Sequence, residues 1–253
     1  MKVTFLGTGT SKGVPEVGCE CRVCKSDNVK DKRLRSSVMI ETGGKRILID
    51  ATPDSREQML GMPFEKIDGV LITHEHYDHV GGLDDMRPFE RFGDIDLYVE
   101  RNVGDALRHR IPYCFADSRY GGVPKLNLKE IDCKPFEVEG VEIVPIRVYH
   151  HRLPILGYRI GGFAYLTDVK TVPDGELERL EGLDVLVVSA LQRRQHISHQ
   201  TLDEAVALIG KVAPRRAYLT HLSHNMGLHE EVERELPEGV HVGYDGLELM
   251  VNG

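Results

Sequence analysis

Thr73-His74-Glu75-His76-Tyr77-Asp78-His79 stands directly behind the apolar run Val70–Thr73 and sets four potential metal ligands into six positions. The run is apolar without alternation, as a strand buried on both faces is. In extended chain His74 and His76 project to the same side. Asp78 and His79 then fall at the entry to the next helix and can point back toward them. Neutral imidazole and carboxylate suit Zn²⁺, Mn²⁺ or Fe. The carboxyl end of a strand is also where open α/β sheets place their ligands.

Outward from this motif the chain reads as short strands with helices between some of them. Val3–Leu6 ends in the turn Gly7-Thr8-Gly9-Thr10, and Val38–Glu41 and Arg46–Asp50 flank Thr42-Gly43-Gly44-Lys45 as a hairpin. Ile95–Val99, Val141–Val148, Gly157–Ile160, Phe163–Thr167, Val185–Ser189, Arg216–Thr220, Val240–Gly243 and Leu247–Val251 continue the set. Thr201-Leu202-Asp203-Glu204 is a capping box that opens a helix to about Val212. Gly82–Phe92, Asn102–Arg110, Asp174–Leu180 and Leu228–Leu236 are further helix candidates. Two mixed sheets covered by helices follow, an α/β or α+β fold, expected as one domain over residues 1–253. Pro112–Pro124 carries no period and reads as a long surface loop, a lid candidate.

The 253 residues are 41% apolar and 28% charged, the balance of a soluble globular chain. With 32 Lys and Arg against 40 Asp and Glu the formal charge is −8, which speaks against holding nucleic acid or anionic lipid by bulk charge. No apolar run reaches the length of a membrane span. The opening Met1–Thr8 reads as a first strand and not as a signal peptide, so a cytoplasmic location is expected. Of the 5 cysteines, Cys19, Cys21 and Cys24 crowd into one short stretch. An odd, crowded set favours metal over a disulfide framework. Structural zinc takes four ligands, so a fourth must come from elsewhere in the chain. Cys114 and Cys133 read as ordinary thiols.

The stretch from His74 to His79 spells H-x-H-x-D-H and resembles the signature of the metallo-β-lactamase superfamily. The resemblance implies a four-layer αβ/βα sandwich with metals at the edge between two β-sheets. It implies further ligands behind later strands: a histidine at His150 or His151, a bridging carboxylate at Asp168, and a last histidine at His221. His150 is preferred because it shares strand parity with Val144, Ile146 and Val148. Asp50 matches an aspartate that supports the ligands. Site one would hold His74, His76 and His150, site two Asp78, His79 and His221, with Asp168 between them.

Gly18-Cys19-Glu20-Cys21-Arg22-Val23-Cys24 narrows the resemblance. With Leu6–Thr10, Gly13-Val14-Pro15, Gly157-Tyr158, Tyr165–Asp168, Leu219–His224 and Tyr244–Glu248, it is similar to the phosphodiesterases of the carbon–phosphorus lyase pathway, which act on phosphoribosyl cyclic phosphate. That likeness implies a zinc-binding insertion over about residues 15–35, with His224 completing Cys19, Cys21 and Cys24. It implies His199 as a catalytic helper, with His196 as competitor. Residues 112–124 and their surroundings depart from the pattern. A pyrroloquinoline-quinone biosynthesis branch carries a similar cysteine cluster but departs from the full histidine signature, which this chain retains.

The expected activity is metal-dependent hydrolysis of small phosphodiesters, cyclic or ribose-linked, by a metal-bridging hydroxide. Asp78, Asp168 and His199 are the expected catalytic residues. The expected cofactors are two catalytic divalent metals, Mn or Zn with Fe or Ni as alternatives, and one structural Zn. Lys30, Lys32, Arg33, Arg35, Arg193 and Arg194 are candidate phosphate holders. The expected partner is a small phosphodiester, with no membrane, nucleic acid disfavoured and kept only as the alternative, and a homodimer among the assembly states. The competing activities are an RNA- or DNA-processing nuclease of the same superfamily and an iron-dependent, persulfide dioxygenase-like oxidoreductase.

Overall fold

The long apolar runs alternate between two cores, and that alternation builds the architecture. In the run ending at Ile49, Ile47 and Ile49 pack into a core shared by two sheets, while Leu48 faces helices on the other side. In the run ending at Ser189, Val185 and Val187 take the inner face, and Leu186 and Val188 the outer one. A strand covered on both faces has no solvent side, so its sequence loses the polar alternation of a half-exposed strand.

The computed structural model describes residues 1–116 and 122–252. Its strands are β1 (Lys2–Gly7), β2 (Ser37–Thr42), β3 (Lys45–Ile49), β4 (Gly69–Leu71), β5 (Ile95–Val99), β6 (Leu126–Glu130), β7 (Phe136–Val138), β8 (Val141–His150), β9 (Leu153–Ile160), β10 (Phe163–Leu166), β11 (Val185–Ser189), β12 (Arg216–Thr220), β13 (Val240–Val242) and β14 (Glu248–Met250). The helices are α1 (Ser55–Leu60), α2 (Tyr77–Val80), α3 (Arg101–Arg110), α4 (Asp174–Leu177), α5 (Leu202–Val212) and α6 (His229–Glu235).

Two 7-stranded sheets result, ordered β14-β1-β2-β3-β4-β5-β6 and β13-β12-β11-β10-β9-β8-β7. Each joins an antiparallel part to a parallel run: β3 to β6 in the first, β10 to β13 in the second. The inner core sets Phe5, Ile40 and Ile49 against Tyr158, Tyr165 and Val187. Outside the second sheet lies the apolar face of α5, with Leu202, Ala205, Leu208, Ile209 and Val212; outside the first lie Val103 and Leu107 of α3. This is the four-layer metallo-β-lactamase fold, helix–sheet–sheet–helix.

The capping box at Thr201 and Glu204 is formed as its sequence demands. The expected helix over Gly82–Phe92 is a 3-10 helix, Leu83–Phe92, with Pro88 inside it. Proline supplies no N–H and crowds the preceding turn, so an α-helical ladder cannot run through it. Asp174–Leu180 divides into α4 and a 3-10 turn, Glu178–Leu180. In the expected lid loop Pro112–Pro124, Pro112–Cys114 is a 3-10 turn, and residues 117–121 lie outside the described residues. No helix among the described residues is long and apolar enough to cross a membrane.

Candidate functional site

The strand ends on one edge of the sandwich deliver the chemistry. Asp50 follows β3, His74 and His76 follow β4, Asp78 and His79 lie in α2, His150 ends β8, Asp168 follows β10 and His221 follows β12. Three of these turn sharply out of their strands: Asp50, Asp168 and His221 have φ of 62°, 53° and 56°. Non-glycine residues rarely adopt this left-handed conformation, and where they do, the surroundings hold them there. Asp50 is held by Thr73, which donates from its backbone N at 2.9 Å and from its hydroxyl at 2.9 Å. His221 is anchored by its own N–H, which donates to Ser36 Oγ at 3.1 Å.

The ligand atoms of Asp78, His79, Asp168 and His221 lie within 4.8 Å of one another, as do those of His150, Asp168 and His199. Asp168 belongs to both groups. His79 Nε2 is 3.0 Å from Asp168 Oδ2 and 3.2 Å from Asp78 Oδ2, and His221 Nε2 is 3.3 Å and 3.5 Å from the same two atoms. His74 and His76 stand beside the second group, outside that 4.8 Å set: their rings lie 5.8 Å and 5.2 Å from that of His150, with His74 Nε2 3.0 Å from His76 Nδ1. His150, and not His151, faces this centre. Its Nδ1 lies 2.9 Å from the Ser198 carbonyl, which fixes the proton there and leaves Nε2 as a lone pair.

Divalent cations fit this donor set. His79 Nε2, both ring nitrogens of His221 and His199 Nδ1 are buried without a hydrogen-bond partner. Buried polar atoms are normally paired, and an imidazole nitrogen facing carboxylate oxygens at about 3 Å without hydrogen-bond alignment has the geometry of donors that share a cation. The charges agree. Burial raises the cost of ionising Asp168, but His221 and His79 overcome it and hold its carboxyl well below the usual range. Burial opposes charge on His79, yet Asp168, Asp50 and Asp78 draw its pKa well upward. Burial lowers His74 far below the imidazole range, with His79 adding to the effect. Burial, aided by His221, pushes His199 down to about 3, so it stands neutral.

A second donor set lies on the insertion. The ligand atoms of Cys19, Cys21, Cys24 and His224 fall within 4.8 Å of one another. His224 Nδ1 is 3.1 Å from Cys19 Sγ and 3.3 Å from Cys21 Sγ. Four atoms at this spacing match a tetrahedron about a zinc with Zn–S near 2.3 Å. The Cys24 N–H holds the Cys21 thiol down to about 6, whereas burial pushes Cys24 up to about 11.

The basic candidates fare differently. Arg33 is buried and donates to Thr8 Oγ1 at 2.8 Å and the Gly243 carbonyl at 2.6 Å. Arg35 pairs with Asp54 at 2.7 Å, and Arg193 with Glu235 at 2.6 Å. Lys30 lies 4.5 Å over the Tyr244 ring. Arg33 is buried and spent on the fold, and the other three have partners that tie loops together; Lys32, Arg193 and Arg194 are exposed. His196 stands beside His199 with ring centroids 5.1 Å apart. Sequence reading missed Ser198, since a backbone carbonyl leaves no residue-type signal, and Glu16, which lies 3.3 Å from His224 Nε2.

The chain is similar to known proteins over most of its length. Residues 45–222 match the family model of the β-lactamase superfamily domain. A crystal structure of a diphosphatase from the PhnP family superposes with a TM-score of 0.92 at 41% identity, covering 98% of this chain and 97% of that one. Zn²⁺-bound PqqB from Methylobacterium extorquens superposes with a TM-score of 0.80 at 21% identity, covering 99% of this chain and 100% of that one, a likeness of fold. An octanoyltransferase of Porphyromonas gingivalis is 47% identical over 255 residues, covering 100% of this chain and 52% of that protein. The chain thus spans about half the length of that curated relative. With its H-x-H-x-D-H edge, its two facing sheets and a family match across most of its length, the chain belongs to the β-lactamase superfamily and has the metallo-β-lactamase fold.

Proposed function

We propose that the chain is a dinuclear metal-dependent phosphodiesterase acting on small, cyclic or ribose-linked phosphodiesters. The observation that carries this reading is Asp168, a buried carboxylate that falls within 4.8 Å of the ligand atoms of Asp78, His79 and His221 in one group and of His150 and His199 in another. In this reading Asp78, His79 and His221 hold one cation and His74, His76 and His150 the other. When bound, such cations supply Lewis-acid charge and lower the pKa of water from about 15.7 toward about 7. Asp50 holds His79 and Ser198 holds His150, so neither imidazole must reorient during reaction. His199, neutral and buried, offers an N–H to a phosphoryl oxygen or to the leaving oxygen.

Beside this centre a cavity of about 300 Å³ is lined by Thr10, Ser11, Lys12, Gln192, His196 and His199. Its walls, polar apart from Leu191, suit a small phosphorylated molecule. An eight-carbon acyl chain wants apolar walls, and about half of the octanoyltransferase relative lies outside the match, so acyl transfer is not the reading supported here. The likeness to a diphosphatase supports a phosphoryl substrate. The net charge of −8 weighs against a nuclease.

The test is a substrate panel with Mn²⁺, Zn²⁺, Ni²⁺ and Fe²⁺ supplied in turn. It contrasts an activated phosphodiester, a cyclic nucleotide, a thioester, a β-lactam and RNA, with oxygen uptake followed in parallel. Diester cleavage is expected. Its absence with every metal, or oxygen consumption with iron alone, sinks the reading.

A further inference from the structure

The cysteine cluster and the catalytic cluster share a wall. The cavity beside His199 also touches His224 and Asn225, and among the described residues Glu16 is the one carboxylate that lines it. Glu16 is engaged on both sides. Its Oε1 accepts from Lys12 Nζ at 2.7 Å, and its Oε2 lies 3.3 Å from His224 Nε2. His224 turns its other nitrogen to the cysteine sulfurs. A continuous line therefore runs from the cysteine cluster through His224 and Glu16 to Lys12 at the cavity. A carboxylate on the far nitrogen of a metal-binding histidine commonly orients that histidine; here the same carboxylate also orients an ammonium.

The loop carrying Lys12 is stitched to the segment carrying both histidine ligands. Thr10 N donates to the Leu222 carbonyl at 3.0 Å, and Leu222 N donates to the Thr8 carbonyl at 2.9 Å. Gly13, with φ of 67°, turns the chain, and its N–H donates to the Thr10 carbonyl at 2.8 Å. The backbone beside Lys12 is thus tied to the segment of His221 and His224, and its exposed side chain reaches Glu16. An exposed Lys–Glu pair adds little to stability, so the use of this one lies in where it holds the charge. An ammonium has three donors; one serves Glu16 and two remain for a ligand.

We propose that Lys12 is a specificity residue that receives a second anionic group of the ligand, beyond the one lying on the catalytic cations, and that Glu16 positions it from His224. This deepens the phosphodiesterase reading and rests on it only for where the first anion lies.

The test is binding, measured by calorimetry on the full chain loaded with zinc and Mn²⁺. The probes are 1,3-propanediol bisphosphate and propyl phosphate, which differ in the second anion. Wild type is expected to prefer the bisphosphate. Lys12→Met raises its Kd about tenfold, about 1.4 kcal/mol, and moves that of propyl phosphate less than about twofold, while Lys12→Arg keeps the preference. Glu16→Gln weakens the bisphosphate as well and speeds zinc transfer to a chromogenic chelator about tenfold; Lys12→Met leaves zinc transfer unchanged. The proposal is overturned by a wild type without the preference, by equal losses for both probes in Lys12→Met, or by Glu16→Gln with bisphosphate binding intact. Lack of diester turnover together with a Lys12-dependent preference would sink only the phosphodiesterase reading.

Discussion

Asp50 Oδ2 lies 2.6 Å from His79 Nδ1, with both side chains fully buried. The carboxylate fixes the proton on Nδ1 and turns Nε2 toward Asp78 and Asp168. Asp50→Asn keeps the shape but offers an amide N–H to Nδ1, which favours the tautomer protonated on Nε2. We expect a folded variant whose catalytic-metal affinity falls about 10- to 100-fold, read by elemental analysis after dialysis against graded metal. Full occupancy at wild-type metal levels would refute this role for Asp50.

His199→Ala is expected to lower kcat about 10²- to 10⁴-fold on a diester with a poor leaving group, and much less on a nitrophenyl ester. Because burial keeps His199 neutral down to about pH 3, it contributes no ionisation to the profile between about pH 5 and 8. Wild type and variant should give parallel kcat–pH curves. A limb present in the wild type and missing from the variant contradicts the assignment.

Cys21→Ser should cost one zinc per chain and lower Tm by at least about 5 °C, since a structural ion adds its binding free energy to folding. Cys133→Ser is the control, its sulfur accepting from Arg147 Nη2 at 3.1 Å, away from the cluster. Equal zinc content in the two variants would remove the cysteine site from the account.

Asp184 gives the pH dependence of stability. Arg215 Nε donates to its carboxylate, as do Asn252 N at 2.9 Å and Arg216 Nη2 at 3.2 Å. The Arg215 bond first, and the others with it, hold the carboxyl at about 2 against 3.8 unperturbed. The folded state therefore binds this proton less readily than the unfolded one. The stabilisation is full above about pH 4 and is lost as pH falls through about 2. Discounted for the exposure of Arg215, it is worth about 1–2 kcal/mol. Urea unfolding of wild type and Asp184→Asn should show a gap at pH 7 that closes on acidification. A gap independent of pH would exclude this linkage.

Gly82 packs against the Thr52 carbonyl and the Ser55 side chain so closely that a Cβ would collide with both. Gly82→Ala should destabilise by about 1–3 kcal/mol, with Tm lower by several degrees. An unchanged melting curve would show that the turn after α2 yields.

Much of the scaffold was legible in residue order. Val185–Ser189 and Arg216–Thr220 are strands as their apolar runs imply, and Thr201 caps its helix. Less legible were β6 and β7, Leu126–Glu130 and Phe136–Val138, where short strands at the sheet edges carry mixed polar sequence. The Gly82–Phe92 segment takes 3-10 form around Pro88, whose missing N–H and ring bar an α-helical ladder there.

By itself the sequence determined the donor chemistry: the His74–His79 motif, the three clustered cysteines, and strand ends at Asp50, Asp168 and His221. These are local facts, because spacing and strand parity are set by the backbone of a few adjacent residues. Only the tertiary structure decided that Asp168 meets both donor groups, that Arg33 is buried among Thr8 and the Gly243 carbonyl, and that Glu16 joins His224 to Lys12. Glu16 and His224 are more than two hundred residues apart. What a side chain touches at that separation depends on how two sheets pack and how their edge loops are pinned, which no short window of sequence encodes.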